Sequence, residues 1–195
     1  SPYNKINIHI GGTYGGDFEG TADRWCNNFK KLDDNCRARL TVENDDKASM
    51  WSTKHLYEYI HTRIGIPIVF DYHHHRFCTG GQTEEQALKL AASTWPIGVK
   101  PVVHLSESRA AEQKDPKIRP QAHSDYILNP TSSYGQAYDM MLECKRKELA
   151  LLKVVGASKK LDKAKKLCKK YNSVILDKTK KSFVIQVTAL RREID

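Results

Sequence analysis

"IPIVFDYHHH", residues 66–75, sets the frame for reading the chain. Ile66, Ile68, Val69 and Phe70 make an apolar run of strand length. It stops abruptly at Asp71, Tyr72 and three consecutive histidines. Taken alone, the stretch admits three readings: a metal site at a strand end, an affinity tag, or a patch of surface histidines. The segments on either side discriminate among them.

Four more short apolar runs flank it. They are "INIHI" (6–10), "RLTVEN" (39–44), "PVVHLS" (101–106) and a weaker "AYDMMLE" (137–143). Helical patterns lie between them. "GTADRWCNNFKKL" (20–32) spaces Trp25, Phe29 and Leu32 along one face. "STKHLYEYIHTRIG" (52–65) has Ser52 or Thr53 to start it and Gly65 to stop it. "TEEQALKLAASTW" (83–95) begins with a Thr83 cap and early acids. Strands alternating with helices predict an α/β fold with a parallel sheet. A long polar segment, 107–136, joins the last two strands and reads as a functional loop.

Each strand delivers a His or a carboxylate near its C-terminal end: His9, Glu43, Asp71, His104 and Glu143. Alternation places Ile6, Ile8 and Ile10 opposite Asn7 and His9. By the same rule Leu40 and Val42 oppose Glu43, Ile68 and Phe70 oppose Asp71, Val103 and Leu105 oppose His104, and Met140 and Leu142 oppose Glu143. All five polar residues therefore fall on the face away from the bulk of the apolar side chains. In a (β/α) barrel that face points to the axis, and the active site lies at the C-terminal strand ends. Imidazole with carboxylate suits Zn, Mn or Fe(II), and an oxygen-rich set leans toward Mn. Several ligands with carboxylates able to bridge point to more than one metal, the arrangement that activates water against a phosphodiester. No GxSxG elbow and no GKS or GKT of a P-loop occurs. "HIGGTYGG" (9–16) is a plain tight turn or a loop whose glycines let the backbone approach a phosphate.

Composition agrees with a globular protein. The 195 residues are 39% hydrophobic and 28% charged, enough for one domain or one domain with an appendage. No apolar run approaches the roughly 18–20 residues of a membrane span, so no membrane partner is expected. The beginning, "SPYNKINIHIGG", lacks the zones of a signal peptide and lacks Met, which suggests a fragment or processed product. Five cysteines without a CxxC pair suit reduced thiols in an intracellular protein. The net charge of +9 is uneven, with +11 in residues 145–195 and −2 in 1–144. A basic tail fits either nucleic acid or a solvated lysine-rich helix face. Within it, "KKLDKAKKLCKKY" (159–171) predicts a basic helix and residues 172–188 a hairpin.

"INIHIGGTYG", "LTVENDD", "IPIVFDYHHH", "VVHLSES", "IRPQAHSDYI" and "DMMLECKRKE" occur in series. Together they resemble the UV-damage DNA endonucleases, TIM-barrel relatives of apurinic-site endonucleases and xylose isomerases, over residues 6–148. The resemblance implies a partial TIM barrel, about strands four to eight of a (β/α)8 fold, over residues 1–150, followed by a basic helix-plus-hairpin appendage over 151–195. It implies cleavage of damaged double-stranded DNA on the 5′ side of UV photoproducts. The implied cofactor is a divalent metal cluster, Mn first, with Mg, Zn or Co as alternatives. Glu43 would bridge two metals. Asp71, His104 and Glu143 would complete one, His9 would share the second, and His74 and His123 would serve a third. Glu43, Asp71 and Glu143 carry the catalytic assignment, and Gly11, Gly12, Tyr14 and Lys145 the DNA contacts. His73 and His75 would lie outside the ligand set, on the surface or behind the ligands. The family's preceding strands, with another His and a Gln-Tyr pair, are absent here, so a missing N-terminal half-barrel is an expected partner. Val102 stands where the family commonly places a metal-binding Lys, and Lys100 lies too deep to replace it. The alternatives are a non-catalytic DNA-binding or structural relic of such a nuclease and, on the same barrel, a sugar isomerase. The implied location is intracellular, including the nucleus.

Overall fold

The structure is a computed structural model, and it describes residues 4–157, 174–178 and 183–186. Five strands form one sheet in sequence order: β1 (Ile6–Ile8), β2 (Leu40–Glu43), β3 (Ile68–Asp71), β4 (Val102–Leu105) and β5 (Asp139–Leu142). β1 through β4 pair in parallel, with Ile8 opposite Val42, Glu43 opposite Val69, and Asp71 opposite His104. The helices are α1 (Phe18–Phe29), α2 (Asp34–Arg39), α3 (Thr53–His55), α4 (Thr62–Ile64), α5 (Tyr72–His75), α6 (Glu84–Ser93), α7 (Arg109–Gln113) and α8 (Glu148–Ala157). A π-helical stretch, Leu56–His61, joins α3 to α4, so the helix expected over 52–65 is continuous but wider in its middle. Val174–Lys178 and Phe183–Gln186 form a separate antiparallel pair, β6 and β7. The basic helix expected over 159–171 lies outside the described residues.

Two compact units emerge. The first comprises Ser1–Leu105 with Thr131–Met141, and the second Ser106–Pro130 with Leu142–Asp195. The expected boundary at residue 150 falls within α8. In the first unit the apolar faces predicted for β3 and β4 meet α6. Ile68, Phe70 and Val103 come together with Leu88 and Ala91 of α6. Ile68, Phe70 and Leu88 are each fully buried. The end of α6 is tied to the beginning of β3, because Thr94 Oγ1 accepts from the Ile68 N–H at 2.9 Å and Trp95 Nε1–H donates to the Ile68 carbonyl at 2.8 Å.

Local chemistry sets the ends of the elements, and it moves several expected boundaries. α1 begins at Phe18 because Asp17 Oδ1 accepts the Gly20 N–H at 2.8 Å. It stops at Phe29, and Asp33 then caps α2, so Leu32 is left 39% exposed rather than on a buried face. Ser52 is the cap of α3, and Gly65 adopts φ +69° to end α4. α6 carries a full capping box: Thr83 Oγ1 accepts from Gln86 N–H, and Gln86 Oε1 accepts from Thr83 N–H. The polar segment 107–136 contains α7. Among the described residues no helix is long and apolar enough to cross a membrane.

The packing of α6 on β3 yields a direct stability test. Leu88→Ala should lower unfolding free energy by about 2–5 kcal/mol. Thr83→Ala should cost about 0.5–2 kcal/mol through the lost cap. Urea denaturation of each variant measures both.

Candidate metal centre

The first unit gathers its chemistry where β1 to β4 end. Glu43, the last residue of β2, is 3% exposed. Its carboxylate oxygens lie 3.2 Å from Nδ1 of His74, 3.2 Å from Nδ1 of His104 and 3.9 Å from Nε2 of His9. Asn7 Nδ2 also donates to it. Asn7 in turn accepts from Thr41 Oγ1 at 3.1 Å. Asn7, Thr41 and Glu43 thus share the polar face that alternation assigned them.

This environment fixes protonation. Burial alone would raise the Glu43 carboxyl, but hydrogen bonds from His104 and His74, and their charge, hold it well below the usual carboxylate range. Burial would lower His74, yet the Glu43 hydrogen bond and the charges of Asp71 and Glu43 push it up to about 9. His9 is raised chiefly by its hydrogen bond to Asp45, against the opposing effect of burial.

Asp71 and His104 are opposite each other in the β3–β4 ladder. Asp71 is fully buried, and its Oδ1 accepts the His74 N–H at 2.7 Å. That bond starts a helix: residues 72–75 form α5 directly after the strand. The helical turn carries His74 back toward Glu43. His73 and His75 instead lie in the interior, His73 edge-on to Phe77 and His75 against Phe70. Both are buried, which removes the surface alternative of the two expected positions and excludes a tag.

Two ligand-type clusters result. One donor atom each from His9, Glu43 and His74 lies within 4.8 Å of the others, and the same holds for Glu43, Asp71 and His104. Glu43 belongs to both, so its carboxylate is placed to bridge. Nitrogen and oxygen donors around a shared, ionised carboxylate fit divalent metals. In the second unit, His123 Nδ1–H donates to the Glu143 carbonyl at 3.0 Å and lies 3.8 Å from the Glu143 carboxylate. Lys145 is exposed, and its N–H donates to the Ser124 carbonyl. Gly11, Gly12 and Tyr14 form the turn after His9, where Gly11 and Tyr14 adopt φ +94° and +45°. Tyr14 is 82% exposed, with the Arg24 guanidinium 5.6 Å from its ring centre. Lys100 Nζ donates to Asp139 Oδ1 at 2.9 Å, so it is already paired.

Sequence reading missed the groups that hold this centre together. Asn44 Nδ2 donates to the Asp71 carbonyl at 3.0 Å, and Asn44 Oδ1 accepts the Asp71 N–H at 2.9 Å. The Asn44 carbonyl accepts from His74 Nδ1 at 2.9 Å. Asn7 was visible on the polar side of β1, but Asn44 follows β2 and no alternation pattern reaches it. A cavity of about 760 Å³ opens at the opposite, N-terminal strand ends, beside Lys5, Lys30, Arg37, Arg39 and Arg63. Most of these cations are engaged: Lys5 with the Ala38 carbonyl, Arg37 with Asp34, Arg39 with Asn35, and Arg63 with Glu19 and Asp23. Among the described residues it holds no ligand-type cluster.

The protonation pattern predicts how the metal-free chain responds to pH. His74 is raised above its ordinary 6.5, so its contribution to stability is full below about 6.5 and is lost as pH rises through about 9. Glu43 is depressed, so its contribution is present above its ordinary 4.5 and is lost only as pH falls well below that. Denaturation across pH should show the alkaline loss, and His74→Gln should flatten it.

The family model described as UV-endonuclease UvdE matches residues 1–173. A UV DNA damage endonuclease of Bacillus mycoides (strain KBAB4) is 35% identical over 159 residues, covering 77% of this chain and 47% of that protein. One of Bacillus cereus (strain G9842) is 34% identical over the same shares. A solved structure titled "Crystal Structure of SacUVDE" superposes with a TM-score of 0.62 at 33% identity, covering 86% of this chain and 52% of that one. The chain spans about half the length of the curated relatives it matches. On the family match over residues 1–173, with relatives about a third identical and a solved structure that superposes on it, this chain belongs to the UV-endonuclease UvdE family.

Proposed function

We propose that the chain supplies the metal-holding part of a DNA repair endonuclease that nicks damaged double-stranded DNA on the 5′ side of UV photoproducts. The observation that carries this reading is the Glu43 carboxylate, buried and ionised among three imidazoles at the ends of parallel strands. Family membership supports the substrate class. We read the sheet as strands four to eight of a (β/α)8 barrel, whose other strands the longer relatives would provide.

Glu43, Asp71 and His104 would hold one divalent metal, His9 and Glu43 a second, and His74 would serve a third. Such ions, Mn first and Mg, Zn or Co as alternatives, supply Lewis acidity and lower the pKa of a bound water. The chain's own residues do the rest. Glu43 stays deprotonated, as a bridging ligand must. Asp71 is held rigidly by its bonds to Asn44 and to α5. The turn at Gly11 and Gly12 lets backbone approach a phosphate. Tyr14 offers an exposed ring for a base or sugar, and Lys145 a cation for the backbone. A repair nuclease works where DNA is, so the reading carries an intracellular location, the nucleus in a eukaryote.

The test is nicking of UV-irradiated supercoiled plasmid with manganese, by the chain alone and together with the N-terminal half of a curated relative. Relaxed plasmid is expected from the irradiated substrate and not from the unirradiated one, with chelator abolishing it. Glu43→Gln should reduce the rate by more than about 100-fold, beyond the effect of losing a group that only orients a ligand. Metal binding without any nicking, with both halves present, would remove the proposal.

A further inference from the structure

His9 raises a mechanical problem. It lies one residue beyond β1, so no strand ladder fixes its backbone, and its side chain is 44% exposed. An imidazole that serves as a ligand needs one ring nitrogen committed elsewhere, or it rotates and interchanges tautomers. The commitment comes from a residue outside both ligand-type clusters. Asp45 Oδ1 lies 3.0 Å from His9 Nδ1.

Asp45 is itself locked. It is 7% exposed. Its Oδ2 accepts the Trp51 N–H at 3.2 Å, and its own N–H donates to the Trp51 carbonyl at 2.8 Å. Trp51 is fully buried, edge-on to Phe18. Its Nε1–H donates to the Gly11 carbonyl at 2.9 Å. Gly11 is two residues from His9, so a closed circuit runs His9, Asp45, Trp51, Gly11 and back along the chain. A carboxylate can only accept, so a neutral His9 in this circuit carries its hydrogen on Nδ1. Its Nε2 is then the nitrogen turned toward Glu43, 3.9 Å from Oε2.

We infer that Asp45 is a positioning residue that holds His9 in the Nδ1–H tautomer with Nε2 presented to the Glu43 side, and that Trp51 anchors Asp45 for this purpose. The inference rests on the metal reading above only for its consequence; the tautomer itself is a property of the metal-free chain. Asp45 acts through His9 and touches no reacting atom. Carboxylates behind ligating imidazoles typically contribute about 10–100-fold to metal affinity.

Two measurements on the full chain test it. Long-range ¹H–¹⁵N NMR of the metal-free protein at alkaline pH should assign His9 as Nδ1–H in the wild type. In Asp45→Ala it should become a mixture or the Nε2–H form, and Asp45→Asn, which keeps an acceptor oxygen, should restore most of the wild-type signal. Manganese titration followed by EPR should show Asp45→Ala binding its weakest ion about 10–100-fold less tightly, with Asp45→Asn intermediate. Trp51→Phe keeps a buried ring but removes the indole donor, and should loosen His9 in the same direction by less. An unchanged His9 tautomer in Asp45→Ala overturns the inference, as does unchanged manganese affinity in a chain that binds the ion. If the wild type binds no manganese, the metal reading fails, while the NMR comparison still decides whether Asp45 sets the tautomer.

Discussion

The constraint on which the first unit depends is the burial of an ionised Glu43. Removing a carboxylate from water costs several kcal/mol even after local relaxation, and partners must offset it. Here they come from separate places in the chain: Asn7 on β1, His104 on β4, and His74 on the helix after β3. No single segment could solvate Glu43. The parallel order β1-β2-β3-β4 must form with its C-terminal ends converging, or the charge is left without compensation. A divalent cation would answer the same demand in place of protons, which is why the cluster that stabilises the metal-free fold is also chemically suited to a metal.

Strand ends are poor places for precise geometry, because the ladder stops there. Side chains extend the ladder instead. Asn44 bonds both backbone groups of Asp71, as a strand neighbour would, and so carries the β2–β3 pairing one residue further. Asp71 reaches past its own strand and initiates α5. The Asn44 carbonyl then receives His74 from that helix. The ligands are thus braced against one another through backbone groups, a stiffer support than packing of exposed side chains would give.

How much of this was legible depended on whether a period carried the information. Two-residue alternation assigned both faces of β1 to β4, and with them the convergence of His9, Glu43, Asp71 and His104, because a strand has only two sides. The histidine triplet was harder. "DYHH" following a strand reads as a loop, yet Asp71 is at once a strand terminus, a ligand type and a helix cap, and the cap decides that His73 and His75 turn inward. The break between Phe29 and Asp34 was hidden because the apolar spacing of Trp25, Phe29 and Leu32 continues through it. Asn44, Asp45 and Trp51 were invisible as functional residues for a different reason. Their roles arise from bonds across turns, where no repeat exists to read.

The same logic bears on the open side of the sheet. Among the described residues β1 pairs only with β2, and Ile6 is 55% exposed at its start. Parallel strands are ordinarily covered on both faces and edges. In the proposed nuclease, whose relatives are matched over 47% of their length, further strands would pair with that edge and bring further groups to its C-terminal end. His9 lies at this seam, half exposed at the end of a three-residue strand. A ligand on an open edge must be aimed by its own neighbours, since a rotating imidazole would have to be ordered at a cost to metal binding. The Asp45–Trp51 circuit does that aiming from within this chain. It explains why the least buried imidazole beside Glu43 is also the one braced by a buried acid and a buried indole.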